Sequence, residues 1–254
     1  STAASNMNFG PYAICSTTAA SQYCNSVFPD GAQCSAPSCV IQFNQCANKI
    51  INNPGNILPS ANTIIKKTGC STLSCDTADC VSSGTISPTL DYGPFQATTS
   101  AGGNITVANG ATLTLDGNND SLTDYNDITV NNGGTLNFTP NPNGTTLYRI
   151  HTLTVHTGAV VNFQPGDYWI NSFNLLDNPG GTINVVGTSG TARLHINNDF
   201  NPTNSQQMNT NGSASQLFLY TYHNINIDDP NAVINAVLYS VGNAVIKNSA
   251  RVIG

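Results

Sequence analysis

From Asn104 onward, polar and apolar residues alternate in short phrases that keep returning. Asn104-Ile-Thr-Val107 leads through a Gly turn to Thr112-Leu-Thr-Leu115, and Asp127-Ile-Thr-Val130 leads through Gly133-Gly134 to Thr135-Leu-Asn-Phe138. Thr152-Leu-Thr-Val155 and Val160-Val-Asn-Phe163 form the next copy, and Ser172-Phe-Asn-Leu175 and Thr182-Ile-Asn-Val185 the one after. Arg193-Leu-His-Ile196 reads as a degenerate copy, followed by Asn224-Ile-Asn-Ile227 and Asn243-Ala-Val-Ile246. Period-two alternation puts one set of side chains inward and the other outward. A single such unit cannot bury its own apolar edge, whereas stacked copies ~4.8 Å apart make a continuous core and pair each strand with its equivalent. The pattern therefore predicts an all-β, right-handed parallel β-helix over residues 101–254. A β-sandwich or jelly roll also has many short strands but needs no repeated phrase, and a propeller repeats at roughly 40–45 residues.

Residues 1–100 read differently: Cys-, Ser- and Pro-rich, with short apolar runs such as Val40-Ile41 and Ile64-Ile65. They suggest a disulfide-rich N-terminal cap with a linker, and residues 40–51 supply the one helix candidate. The eight cysteines, Cys15, Cys24, Cys34, Cys39, Cys46, Cys70, Cys75 and Cys80, all fall here. Their even count at irregular spacing predicts disulfides in an oxidising compartment. Zinc knuckles usually space paired thiolates two to four residues apart, closer than the five-residue steps of Cys70, Cys75 and Cys80. Cys75 with Cys80 is the best single pair, since the short segment between them allows the usual ~5–6 Å Cα separation. The ending at Gly254, soon after strand-like Val252-Ile253, suggests a piece of a longer protein.

Composition supports the β reading. Asn (36 residues), Thr (29) and Gly (22) dominate, and all thirteen acidic residues are Asp. This is a turn-and-strand vocabulary. Seven Lys+Arg and a net charge of −6 argue against nucleic acid, which needs a basic stripe. No apolar run approaches the ~20 residues of a membrane span, so membrane insertion of this segment is not expected.

Candidate chemistry is thin. His151 and His156 lie five apart in an extended segment and point to opposite faces, so they cannot share a metal. His195 has outward parity and His223 opens a strand, so all four histidines are expected at the surface. Asp116, Asp120, Asp124 and Asp127 offer oxygens on one segment and form a weak Ca²⁺ candidate, although their spacing fits neither the EF-hand loop nor the RTX nonapeptide repeat; a solvated loop is the alternative, and no other cofactor is implied. Asp228-Asp229, with Asp199 as a possible third carboxylate, is the pair a glycosidase reading would use. The following Pro-Asn marks it as a turn, and no catalytic residue is assigned. In Leu217-Phe-Leu-Tyr-Thr-Tyr222, inward Leu217 and Leu219 place Phe218, Tyr220 and Tyr222 on the other face. Tyr220 and Tyr222, with Tyr168 and Trp169 after the turn Pro165-Gly-Asp167, are the candidate binding aromatics, with core or rim packing as the alternative.

Several phrases resemble a known family. Cys70-Ser-Thr-Leu-Ser-Cys75 through Cys80, Ser82-Ser-Gly84, Pro94-Phe-Gln96 and Cys24-Asn-Ser-Val-Phe-Pro-Asp-Gly31 are similar to the N-terminal region of MshQ-like proteins, which belong to the mannose-sensitive haemagglutinin (MSHA) type IV pilus system. So are Thr146-Leu-Tyr-Arg-Ile150, Pro165-Gly-Asp-Tyr-Trp-Ile170 and the stretch from Gln216 through Ile246. The resemblance implies an extracellular or cell-surface, pilus-associated adhesive module whose partners are pilus proteins and host or abiotic surface glycans. It carries over no catalytic residue. The expected function is thus a non-enzymatic adhesin or structural module. A polysaccharide lyase or hydrolase on the same fold is the alternative. Ice binding is a third reading, suggested only by Thr-x-Thr at 112–114 and 152–154, pairs that do not recur at corresponding places in the other copies.

Overall fold

The computed structural model describes residues 92–98, 103–116, 123–140, 146–187, 189–202 and 205–241, together with short strand segments outside these ranges. Parallel strands coil into a β-solenoid of roughly five turns. One column marks the turns: Ile105, Ile128, Leu153, Phe173, Phe200 and Ile225 follow one another at the same inward position. Among the described residues the only helical element is the short 3-10 turn Ala214–Gln216.

Each turn has three walls, not the two strands per turn that the repeated phrases predict. The long strands show why. In Leu147–Val155 the inward residues are Tyr148 and Ile150, then Leu153 and Val155. Two consecutive residues, His151 and Thr152, point outward, so the strand turns a corner there. Gly166–Leu175 bends at the matching place, with Ile170 beside Ile150 and Phe173 beside Leu153. Residues before the corner build the first wall, continued by Ala192–Ile196, Leu217–Thr221 and Val237–Ser240. Residues after it build the second, begun by Ile105–Val107. The third wall stacks Thr112–Leu115, Thr135–Phe138, Val160–Phe163, Thr182–Val185, Gln207–Met208 and Val233–Asn235.

The expected inward stacks are observed. Ile128, Val130, Leu153, Val155, Phe173 and Leu175 are buried along the second wall, and Leu136, Val161 and Ile183 along the third. Each registers on its equivalent in the neighbouring turn. An aromatic knot fills the wide centre: Phe138 stacks on Phe163 at 5.1 Å and Tyr148 on Tyr168 at 5.4 Å. The Tyr148 hydroxyl donates to the Thr139 carbonyl at 2.6 Å, and the Tyr168 hydroxyl donates to that of Gln164 at 2.9 Å. Burial pushes both phenols well above their ordinary pKa, so they serve as neutral donors.

The corner entering the third wall admits little bulk. Its inward positions are Gly134, Ala159, Gly181, Gln206 and Ala232, one step before registered residues. A Cβ on Gly181 would come within 2.6 Å of Val155 and 2.9 Å of the Ala159 carbonyl. Gln206 breaks this small-residue column. It is fully buried, and neither amide atom meets a partner among the described residues.

One copy moves. Arg193-Leu-His-Ile196 lies in the first wall beside Asp167–Ile170, not in the second wall beside Ser172–Leu175. Of the expected cap, short strands are described at Tyr12–Cys15, Gln33–Cys34, Val40–Phe43, Ile64–Lys67 and Cys80–Ser82, all in parallel pairing. Val40–Phe43 stands where the helix candidate was expected to begin. The remainder of the cap, and the side chains of all eight cysteines, lie outside the described residues. No helix of the described residues is long and apolar enough to cross a membrane.

Candidate functional site

The outer faces of the three walls differ in chemistry. On the first wall, alternation turns Asp167, Trp169, Arg193, His195, Phe218 and Tyr220 outward while Tyr168, Leu194 and Leu219 point in. Trp169, His195, Phe218 and Tyr220 are nonetheless covered, while Asp167 and Arg193 stay partly exposed. Residues 92–98, which overlap the linker expected from Ser87 through Phe95, lie across this face as a strap. The Tyr92 ring packs edge-on against His195 at 4.7 Å and Tyr220 at 5.0 Å. Phe95 meets Trp169 at 5.8 Å and Tyr222 at 5.7 Å. The Tyr222 hydroxyl donates to the Gly93 carbonyl at 3.0 Å, and Arg149 donates to Gln96 Oε1 at 2.9 Å.

Beneath the strap sits a charged network. Arg193 grips Asp167 through two bonds, Nε–Oδ1 at 2.6 Å and Nη2–Oδ2 at 2.7 Å, the bidentate geometry a guanidinium favours. His195 Nε2 lies 3.1 Å from Asp167 Oδ1. A carboxylate only accepts, so Nε2 carries the proton, and Nδ1 is buried without a hydrogen-bond partner among the described residues. The imidazole stacks on Trp169 at 4.1 Å. Burial alone would raise the Asp167 carboxyl, yet the hydrogen bonds from Arg193 and His195 prevail and hold it well below the usual range. Burial lowers the His195 pKa against the opposing pull of Asp167.

Both shifts have the same consequence for stability. A folded pKa below the unfolded one means that the unfolded chain binds more protons as pH falls, so acid destabilises. For His195 the loss begins as pH drops below ~6.5, and for Asp167 below ~3.9. The melting temperature is expected to fall between pH 8 and pH 5, with a shallower slope in His195→Gln. An unchanged slope in that variant would remove His195 from the network.

These positions correct the surface-aromatic reading. Tyr168 is wholly buried in the core, while Trp169 and Tyr220 are 5% and 3% exposed. The predicted parity of Phe218, Tyr220 and Tyr222 holds, but the strap and neighbouring Tyr239, stacked 4.9 Å from Tyr220, leave no open platform. His195 is likewise buried rather than at the surface. The network was missed because Asp167 and Arg193 are direct register partners in the first wall; aligning Asp167-Tyr-Trp-Ile170 with Arg193-Leu-His-Ile196 would have exposed it.

The other candidates are dispersed. His151 pairs with Asp127 at 3.2 Å and His156 with Asp177 at 2.7 Å. Asp116, Asp124 and Asp127 do not converge, and no group of three metal-ligating side chains occurs among the described residues; Asp120 lies outside them. Asp229 accepts the Asn231 N–H at 2.8 Å and that of Ser205, as a turn residue would. Asp199 accepts from the Asn224 backbone at 3.0 Å and its amide at 2.8 Å.

The second and third walls are polar. On the third, Asn137, Asn162 and Asn184 form an amide ladder, Nδ2 to Oδ1, at 2.7 and 3.0 Å. On the second, Thr106, Thr129 and Thr154 occupy one outward column, ending in Asn174. A parallel column carries Asp127, Thr152 and Ser172. Thr residues thus do recur at corresponding places, once the column rather than the Thr-x-Thr pair is followed.

Residues 137–254 match a family described as a domain of unknown function (DUF8470). The match takes in the later turns of the solenoid, including the Asp167–Arg193–His195 network. No curated protein and no solved structure matches the chain.

Proposed function

We propose that this chain is a non-enzymatic attachment module of the cell surface, in which the outer face of the second wall meets a glycan or abiotic surface. The observation that carries the reading is the column Thr106, Thr129, Thr154 and Asn174. Parallel stacking sets its members ~4.8 Å apart, and the three Thr hydroxyls hold no side-chain hydrogen bond among the described residues, unlike the self-paired amide ladder of the third wall. Neutral donors and acceptors on a stiff wall suit polar polymers. Each contact is weak, and many copies gain through effective concentration. The engagement of Asp199 and Asp229 in backbone hydrogen bonds supports a scaffold over a hydrolase or lyase. The MshQ-like resemblance supports a pilus-associated, extracellular setting with pilus proteins as partners. The handedness of parallel crossovers supports a right-handed coil, and the even cysteine count supports disulfides in an N-terminal cap.

The chain coupled densely to beads is expected to attach to glycan-coated or plastic surfaces above an inert protein control, while the soluble chain binds weakly. It should release no reducing sugar from pectin or alginate. Attachment equal to the control would overturn the reading. The regular Thr column also favours ice binding as a second reading, and inhibition of ice recrystallisation without attachment would select it.

A further inference from the structure

Among the described residues the second wall has a gap. Its strand residues 172–175 pair with residues 152–155 on one side. On the other side, pairing of Gly166–Leu175 with the following strand stops at Ile170 beside Ile196. Two more backbone bonds follow, from Asn197 to Ile170 at 3.0 Å and Asn198 to Asn171 at 3.0 Å. The chain then leaves that ladder. Phe200 pairs with the next turn instead, donating to the Asn224 carbonyl at 2.8 Å and accepting from Asn226 at 2.9 Å.

The core stays continuous across the gap, since the Phe173 and Phe200 rings lie 5.9 Å apart. Only the backbone ladder opens. In a parallel ladder, alternate residues bond to opposite neighbours. Leu176 donates back to Val155, so Phe173 and Leu175 turn their backbone groups toward the opening. A pocket of about 340 Å³ lies there, lined by Ser172, Phe173, Asn174, Asn198, Asp199 and His223. The Phe173 side chain is buried, so this residue meets the pocket through its backbone.

We infer that this notch is a binding subsite for a sugar unit, a neutral polyhydroxylated ligand. A saccharide hydroxyl both donates and accepts, and the lining offers both: a carboxylate acceptor, two amides, a hydroxyl, an imidazole and strand-edge backbone. The volume lies at the small end of the range for ligand pockets, and the lining is mostly polar, as a polyhydroxylated ligand requires. The side chains are held in place. Asp199 is fixed by its two bonds from Asn224, and Asn198 Nδ2 donates to Ser172 Oγ at 2.7 Å. The inference deepens the attachment reading by naming a ligand class, and it rests on that reading only for its biological use.

The test is a titration of the isotope-labelled chain with glucose, galactose, N-acetylglucosamine and their β-linked disaccharides, followed by amide chemical shifts. At least one probe is expected to shift Ser172–Asn174, Asn198, Asp199 and His223 together, with a Kd near ~1 mM. Asp199→Ala should weaken that binding about tenfold. Asn174→Ala, at an exposed position, serves as the second variant should Asp199→Ala disturb the Asn224 anchor, and it should also weaken binding. No shift at these residues with any probe, or unaltered affinity in folded Asn174→Ala and Asp199→Ala, overturns the subsite. Bead attachment measured in parallel separates the two ideas: sugar binding without attachment overturns the attachment reading and supports the notch, and attachment without sugar binding does the reverse.

Discussion

Phe163→Ala is expected to destabilise the solenoid by about 3–5 kcal/mol, the usual cost of removing a buried aromatic and leaving a cavity. Phe163 has no exposed surface, stacks on Phe138 at 5.1 Å and packs edge-on against Tyr168 at 4.7 Å. Its loss strips contacts from the turns on either side. Since a domain's whole stability is typically ~5–15 kcal/mol, the change should be plain in denaturant unfolding. Thr129→Ala on the outer face of the second wall should stay within about 0.5 kcal/mol. In a solenoid each repeat contacts mainly its neighbours, so hydrogen exchange should accelerate first in the turns around residues 123–185. A cost below about 1 kcal/mol would mean that Phe163 does not occupy the core.

Gln206→Met should do the opposite and raise stability, by about 1–3 kcal/mol. A buried amide without a partner carries its full desolvation cost, and Gln206 shows no exposure and no bond at either amide atom among the described residues. Methionine has similar length and adapts to irregular space, so the substitution removes the polar penalty without opening a cavity. The position sits in a column otherwise filled by Gly134, Ala159, Gly181 and Ala232. A larger change than Met is therefore unsuitable. Destabilisation by Gln206→Met would show that the amide has found a partner that holds the corner together.

The inward columns were legible in the sequence because one face of a strand must be apolar with period two. Ile128, Leu153 and Phe173, and Leu136, Val161 and Ile183, announce their own register. The first wall was not legible. At His151-Thr152 the alternation skips a beat to round the corner, so a period-two reading loses phase there. The same skip disguised Arg193-Leu-His-Ile196 as a second-wall copy. Parity correctly separated Tyr220 from Leu219, but parity says which face a side chain takes, not what covers that face. The cover comes from Tyr92, Gly93 and Phe95, and the Tyr222–Gly93 bond spans 129 residues of sequence, a separation no local pattern encodes. The notch was hidden for a related reason: it is a missing ladder rather than a motif. In sequence Asp199 reads only as a possible third carboxylate for Asp228-Asp229, and nothing there signals that Phe200 pairs forward.

The attachment reading turns on one wall, so the most direct measurement compares two double variants of the bead-displayed chain. Thr129→Arg with Thr154→Arg places two bulky charges in the second-wall column, at adjacent register positions. Thr135→Arg with Thr182→Arg places the same chemistry on the third wall, at positions that both register on Val160. With folding verified for both, attachment to glycan or plastic should fall to the level of the inert control for the first variant and persist for the second. Equal attachment by the two would contradict the assignment of the second wall as the binding face.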